Sequence, residues 1–310
     1  MIELVGVGHS CQDLLCVVED YPPEDGSTHI IGQDTQGGGA VATALAAAAR
    51  MGIRTGYIGT LGLDPVGEQI VQGFAQEGVD LSGVTRRQDV LSLSSYVMVH
   101  AVRGTRTKFP CRDRMPPIPW EEHQRQLLCG ARMLHLDGTH YQNAWAAAQL
   151  AKKSGVLISL DGCSRQSDNS LNRQLASMAD LLLMNAAYPC AVTGLPTLEA
   201  ALLEMSTWGP QVVLSTAGAR GLYAVVEGQV RHFPAYPVPK AVDTTGAGDV
   251  FHGAFLAAHL RGGTLEECIG MAQYAAAVKC GQMGGRQGIP DWDTVVSGWR
   301  VDQALPASIN

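Results

Sequence analysis

Six short runs of leucine and β-branched residues alternate along the chain with alanine-rich helical stretches. They are IELVGVG (2–8), TGYIGT (55–60), ARMLHLD (131–137), GVLISLD (155–161), DLLLMN (180–185) and QVVLST (211–216). Such alternation argues for a parallel sheet covered by helices. Each run ends at Gly, Asp, Asn or Thr, so the carboxyl ends of the strands are where chemistry is expected. Two stretches, about 14–36 and 90–112, break the pattern, reading as extended segments joined by turns such as YPPEDGST and VRGTRT. A few strands projecting from the main sheet would serve as a lid or a dimerisation surface. With no repeat or long linker, residues 1–310 read as one domain carrying that small appendage.

Composition narrows the functional classes. Of 310 residues, 46% are hydrophobic and 16% charged, which supports a large core and excludes disorder. The net charge of −7 leaves no global positive field to attract nucleic acid or an anionic membrane. The opening MIELVGVGHS lacks a basic n-region, and the longest apolar run, Ala40 to Ala49, is far short of the ~20 residues a bilayer requires. A cytoplasmic protein is expected. The eight cysteines form no CxxC pair and read as reduced, mostly buried apolar residues.

The most informative segment is AVDTTGAGDVFHGAFLAAHL (241–260). Val250, Phe251, Ala254, Phe255 and Ala258 fall on one helical stripe, which places Asp249 in the first turn of a buried helix. Small residues at Gly246, Ala247 and Gly248 let a ligand approach the backbone, where free N–H groups and the helix dipole favour an anion. A carboxylate at the rim can accept a proton from a hydroxyl while the amides stabilise a phosphoryl group in transfer. The alternative is that Asp249 favours the helix start and the glycines turn the chain.

The stretch DTTGAGDVFHGAF resembles the second signature of the PfkB, or ribokinase-like, family of carbohydrate and nucleoside kinases. The first signature of that family, a Gly-Gly followed by a small-residue helix ending Arg-x-Gly, is matched by Gly38 through Gly52, and the similarity extends to GGRQGIPDW (284–292). The resemblance implies an α/β, ribokinase-like fold with a central mostly parallel sheet flanked by helices and a small β-strand lid. It implies Asp249 as catalytic base and Gly246, Ala247 and Gly248 as anion hole. Asp13 resembles the acid that binds sugar hydroxyls, Gly37, Gly38 and Gly39 the backbone against the sugar, and Thr43 takes the place of a sugar-contacting Asn. Asn185 corresponds to the phosphate- and magnesium-side Asn, and Ser215, Thr216, Gly218 and Gly221 to the nucleotide loop. ATP and Mg²⁺ are the implied cofactors. A monovalent cation, K⁺, is implied at Asp243 and Thr245 with backbone groups near Lys279, Gly284 and Gly288. The family's Asn-x-x-Glu reads Asn185-Ala186-Ala187-Tyr188 here, which removes a carboxylate that helps place magnesium.

The motifs look especially like the sulfofructose kinase branch. The positions associated there with sulfonate recognition are Ser27, Phe109 and the neighbourhood of Gly138, Thr139 and His140, which offer a negative head group little. A neutral sugar or polyol is therefore the expected acceptor, with a sugar phosphate, sulfosugar or nucleoside as alternatives. Arg103, Arg106 and Lys108 read as solvated lid charge or as contacts to an anionic substrate; His135 and His140 as structural or substrate-rim groups; His252 as packing. A weakened relative that senses sugar or nucleotide without turnover is a second class, suggested by Tyr188. An NAD oxidoreductase is disfavoured because Gly6-Val7-Gly8 has Cys11 where the third glycine belongs, and no GxxxxGK[ST] loop occurs. The expected reaction is ATP-dependent phosphorylation of a hydroxyl, with a homodimer formed through the lid.

Overall fold

A computed structural model describes residues 1–111, 115–163, 169–238 and 241–304, with side chains through 300. The chain begins β1 (Leu4–Val7), β2 (Cys11–Val18), β3 (Ile30–Gly38), α1 (Ala40–Arg50), β4 (Thr55–Gly62), α2 (Pro65–Gln76) and β5 (Asp80–Arg87). There follow β6 (Ser94–His100), β7 (Arg106–Pro110), α3 (Glu122–Cys129), β8 (Met133–Leu136), α4 (Tyr141–Ser154) and β9 (Leu157–Gly162). Next come α5 (Asn169–Ala176), β10 (Leu181–Asn185), α6 (Tyr188–Thr193), α7 (Leu198–Ser206) and β11 (Val212–Thr216). The remainder is β12 (Leu222–Val226), β13 (Gln229–Phe233), α8 (Ala247–Leu260), α9 (Leu265–Lys279) and α10 (Trp292–Ala304).

Nine strands form the main sheet in the order β13-β12-β11-β10-β9-β8-β1-β4-β5, parallel except where β12 and β13 pair antiparallel at one edge. All six sequence runs became strands of it. Leucine-rich rather than alternating runs fit because both faces are covered. Along β10, Leu181 and Leu183 join one core while Leu182 and Met184 join the other. The first core is closed by α1, α2, α8 and α9, and the second by α3 to α7. The order reverses at β1, which sits between β8 and β4, and the loops leaving the carboxyl ends there open a crevice.

A second sheet, in the order β3-β2-β6-β7, carries the projecting strands. These begin earlier than the sequence suggested: β2 starts at Cys11 rather than near 14, which brings Asp13 into the sheet. Residue 112, the expected end of the second segment, lies outside the described residues. Leu15, Val97 and Val99 make a small core of their own. The pairings Leu15 with Val97 and Val97 with Lys108 put Asp13, Leu15, Arg106 and Lys108 on one face, while Leu14, Tyr96 and Phe109 share the other. The edge strand β5 and the pair β12–β13 are absent from the sequence reading, since their half-exposed residues show no leucine-rich run.

Candidate active site

The chain enters α8 through Gly246, whose φ of +75° and approach to the Gly285 carbonyl, 2.7 Å from where a Cβ would stand, leave room for no side chain. The Ala247 N–H donates to Thr244 O at 3.3 Å, so of the three expected members it is the one already engaged. The N–H groups of Gly246, Gly248 and Asp249 have no acceptor among the described residues. A Cβ on Gly248 would meet nothing within 4 Å, so this amide row opens onto the crevice. Unpaired donors at the start of a fourteen-residue helix make a seat for an anion, with half-buried Asp249 at its rim.

Across the crevice lies Asp13, buried on β2. Burial pushes its carboxyl above the usual range and the Asp249 charge pushes the same way, while Lys108, Arg286 and the Cys11 thiol, which donates to it at 3.4 Å, pull it back. The two carboxylates therefore feel one another over one cleft. Gly38 packs so closely on the Asp13 carboxylate that a Cβ would overlap it, and Gly39, at φ +98°, turns the chain into α1 against the His9 carbonyl. Thr43 is buried in the first turns of α1. Gly37 faces the opposite way, against the Arg286 guanidinium. From β7, Arg106 donates to Thr244 Oγ1 at 3.1 Å, joining the second sheet to the loop before α8. Asp137, which the sequence reading passed over, follows β8 and accepts N–H bonds from His9 (2.8 Å) and Thr139 (2.9 Å), tying the β1–β2 turn to the crevice floor. Its signal was an acid at a strand end beside two histidines.

Of the residues expected to meet the nucleotide, Asn185 ends β10 and its Oδ1 accepts from the N–H groups of Ala187 (3.0 Å) and Tyr188 (3.1 Å). Tyr188 is not at the crevice: its ring is buried and its hydroxyl donates to the Asn172 carbonyl at 3.2 Å. Thr216 ends β11 beside Asn185, and Gly218 and Gly221, at φ +59° and +86°, turn the loop that follows. Ser215, expected in the same set, stands apart from these. It is fully buried one residue before the strand end, where the pleat directs its hydroxyl into the core instead of the loop.

The residues expected to hold a monovalent cation do not fit one. Asp243 Oδ1 accepts from Thr245 N (2.8 Å) and Thr245 Oγ1 (2.7 Å), and Oδ2 accepts from Gly284 N (2.8 Å). Its carbonyl accepts from Lys279 Nζ at 2.8 Å, and that ammonium is wholly buried. The Lys279 Nζ already stands against an oxygen that K⁺ would need. Gly288, expected to contribute backbone groups, has φ +74° and packs on Gln282 and Lys279.

Behind Asp249 runs a buried polar seam. His252 faces His135 edge-on at 5.7 Å, its Nδ1 stands 3.7 Å from Asp161 Oδ2, and His135 Nδ1 meets Ser159 Oγ at 3.2 Å. Burial drives both imidazoles down, His252 to about 4 and His135 to about 3. Both are neutral at physiological pH.

Residues 1–292 match the pfkB family of carbohydrate kinases. The chain belongs to this family. It is a phosphotransferase that uses ATP and an alcohol group of a sugar or nucleoside. The ribokinase of Haemophilus influenzae is 28% identical over 260 residues, covering 82% of this chain and 84% of the relative. An ATP-dependent ribose-1-phosphate kinase of Halopiger xanaduensis is 29% identical over 308 residues, covering 96% and 98%. Among solved structures, Arabidopsis thaliana ribokinase complexed with ribose and ATP superposes with a TM-score of 0.82 at 25% identity, covering 97% of this chain and 99% of that one. The pfkB relationship confirms the ribokinase-like α/β fold; the sulfofructose branch is a finer matter that these relatives do not address. Among the described residues, no helix is long and apolar enough to cross a membrane.

Proposed function

We propose that this pfkB-family kinase phosphorylates a hydroxyl of a small neutral sugar or polyol in the cleft between Asp13 and Asp249. The observation that carries the reading is the unpaired amide row at Gly246, Gly248 and Asp249, with the Asp249 carboxylate at its rim and open space above Gly248. Asp249 takes the proton from the acceptor hydroxyl as its oxygen attacks the γ-phosphorus in line, and the amides stabilise the charge on the phosphoryl oxygens. Asp13 accepts hydrogen bonds from acceptor hydroxyls, backed by Gly38 and Gly39. Asn185, Thr216 and the loop through Gly221 take the nucleotide. Magnesium bound with ATP neutralises phosphate charge; Asn185 is the protein group on that side, and with Tyr188 buried the remaining contacts fall to phosphates and water. The Lys279 ammonium takes the role of a monovalent cation behind the loop, so turnover should be unchanged when K⁺ is replaced by a bulky organic cation; strict K⁺ dependence would overturn this assignment.

The second sheet acts as a lid that excludes water, and its outer face, with exposed Tyr96 and Phe109, forms a homodimer. A cytoplasmic setting supplies the ATP. A second acceptor class, a sugar phosphate, is favoured by the inward face of β7, where Arg106 and Lys108 point to the cleft, and by the ribose-1-phosphate kinase relative. Coupled ADP release across ketoses, aldoses, polyols, sugar acids, sugar phosphates, sulfofructose and nucleosides, run beside Asp249→Asn, separates the readings. Turnover on neutral sugars that disappears in the variant supports the proposal; turnover confined to phosphorylated acceptors supports the second. Binding of sugar and ATP with no turnover would make the protein a sensor.

A further inference from the structure

On the side of β3 away from Asp13, a cavity of about 400 Å³ lies between that strand and α2. Its helix wall is Gln69, Gln72, Gly73 and Gln76, an i, i+3, i+4, i+7 face, and Gln12 and Arg286 close the other side. Arg286 is only 5% exposed. Its Nε is sealed from solvent with no partner, and among the described residues no carbonyl or carboxylate accepts from any nitrogen of the guanidinium. The Phe74 ring, 5.4 Å away, covers one face of the cation but takes no N–H.

Nearby acids do not supply the missing acceptor. Glu77 is held by Arg50 through two 2.7 Å bonds, and Asp34 accepts from Gln36 and Gln287. Asp13 lies across β3, because successive glycines point opposite ways: Gly38 against the Asp13 carboxylate, Gly37 against the Arg286 guanidinium. A buried N–H without an acceptor, as at Nε, is costly, and a guanidinium fork matches a carboxylate or phosphate in two parallel bonds. The surrounding amides both donate and accept, which suits hydroxyl groups beside such an anion.

We propose that this cavity is a second binding site, set back to back with the acceptor cleft, for the phosphate or carboxylate group of a small hydroxylated metabolite, with Arg286 as its anchor. Crystals of the full chain, grown with a non-hydrolysable ATP analogue covering residues 246–249, would be soaked in selenate or 4-bromobenzoate. An anomalous peak within ~4 Å of the Arg286 guanidinium is expected, and lost in Arg286→Gln. A selenate peak identifies a phosphate-like ligand, and a bromine peak a carboxylate. Gln72 is exposed on α2, so Gln72→Glu folds normally and places a like charge in the cavity. Calorimetric affinity for the matching simple anion, inorganic phosphate or acetate, should then fall about tenfold, while turnover without that anion stays at the wild-type level. No peak at Arg286 in either soak, a peak that survives Arg286→Gln, or affinity unmoved by Gln72→Glu would overturn the site.

Discussion

In the proposed reaction Asp13 joins acceptor binding and stability in one carboxylate. Its folded-state pKa is raised, chiefly by burial, so its contribution to stability is present at low pH and lost as pH rises through the folded value. Asp13→Asn should therefore raise the melting temperature at pH 8 but not at pH 3. It should also raise the acceptor KM about 10- to 100-fold, because a charged acceptor of substrate hydroxyls is gone. Calorimetry at the two pH values and initial-rate kinetics check the pair; a variant less stable at pH 8 contradicts the argument. Tyr188 makes the opposite case. Restoring the family's glutamate there looks like a repair in sequence, yet the ring packs on Gly162 and its hydroxyl is bonded to Asn172. Tyr188→Glu should cost at least about 3 kcal/mol in denaturant unfolding and leave magnesium affinity no tighter, since the new carboxylate would sit in the core. Asp249→Asn keeps shape but removes the proton acceptor, and should lose at least about a hundredfold in turnover with acceptor binding retained, as read by ADP release and calorimetry.

At the scale of elements, α8 must be apolar nearly all round to sit between α1, α9 and the sheet, yet it carries His252 beneath Asp249. The seam of Asp161, His252, His135 and Ser159 fills that contact with neutral imidazoles. Both histidines have depressed folded-state values, so their stabilising effect is present above pH 6.5 and lost as pH falls toward about 4 for His252 and about 3 for His135. Each should subtract about 1.4 kcal/mol per pH unit in that window. A His135→Gln, His252→Gln double variant should show a flatter stability profile between pH 6.5 and 4 than the wild type, measured by urea unfolding. Equal slopes would mean that the histidines charge without cost.

At the scale of the whole molecule, the two sheets divide the labour. The nine-stranded sheet fixes the helix start at Gly246 and the strand ends at Asn185 and Thr216, while the four-stranded sheet supplies Asp13 and reaches the anion-hole loop through Arg106. Its outer face leaves Phe109 at 53% and Tyr96 at 45% exposure as a cross-strand pair, with Ile30 and Ile31 also exposed on β3. Phe109→Asp should convert the proposed dimer to a monomer in sedimentation velocity without changing the fold by circular dichroism. A wild type that stays monomeric at micromolar concentration removes the dimer.

The residues alone determined the α/β class and the glycine turn that starts α8. Runs buried on both faces must be leucine-rich, and the first N–H groups of a helix have no partner within the helix itself. Asp249 was placed in the first turn of α8 from its sequence pattern, and Asn185 and Thr216 end their strands where the leucine-rich runs stop. Tertiary structure decided what depends on partners distant in sequence. Lys279 reads as the basic end of a helix until its ammonium is found on Asp243, 36 positions away. Arg286 looks like a loop charge until α2 and β3 bury it, and Tyr188 like a lost magnesium residue until the core claims its ring. A side chain's role at these positions is set by which dielectric and which acceptor it meets, and sequence spacing carries neither.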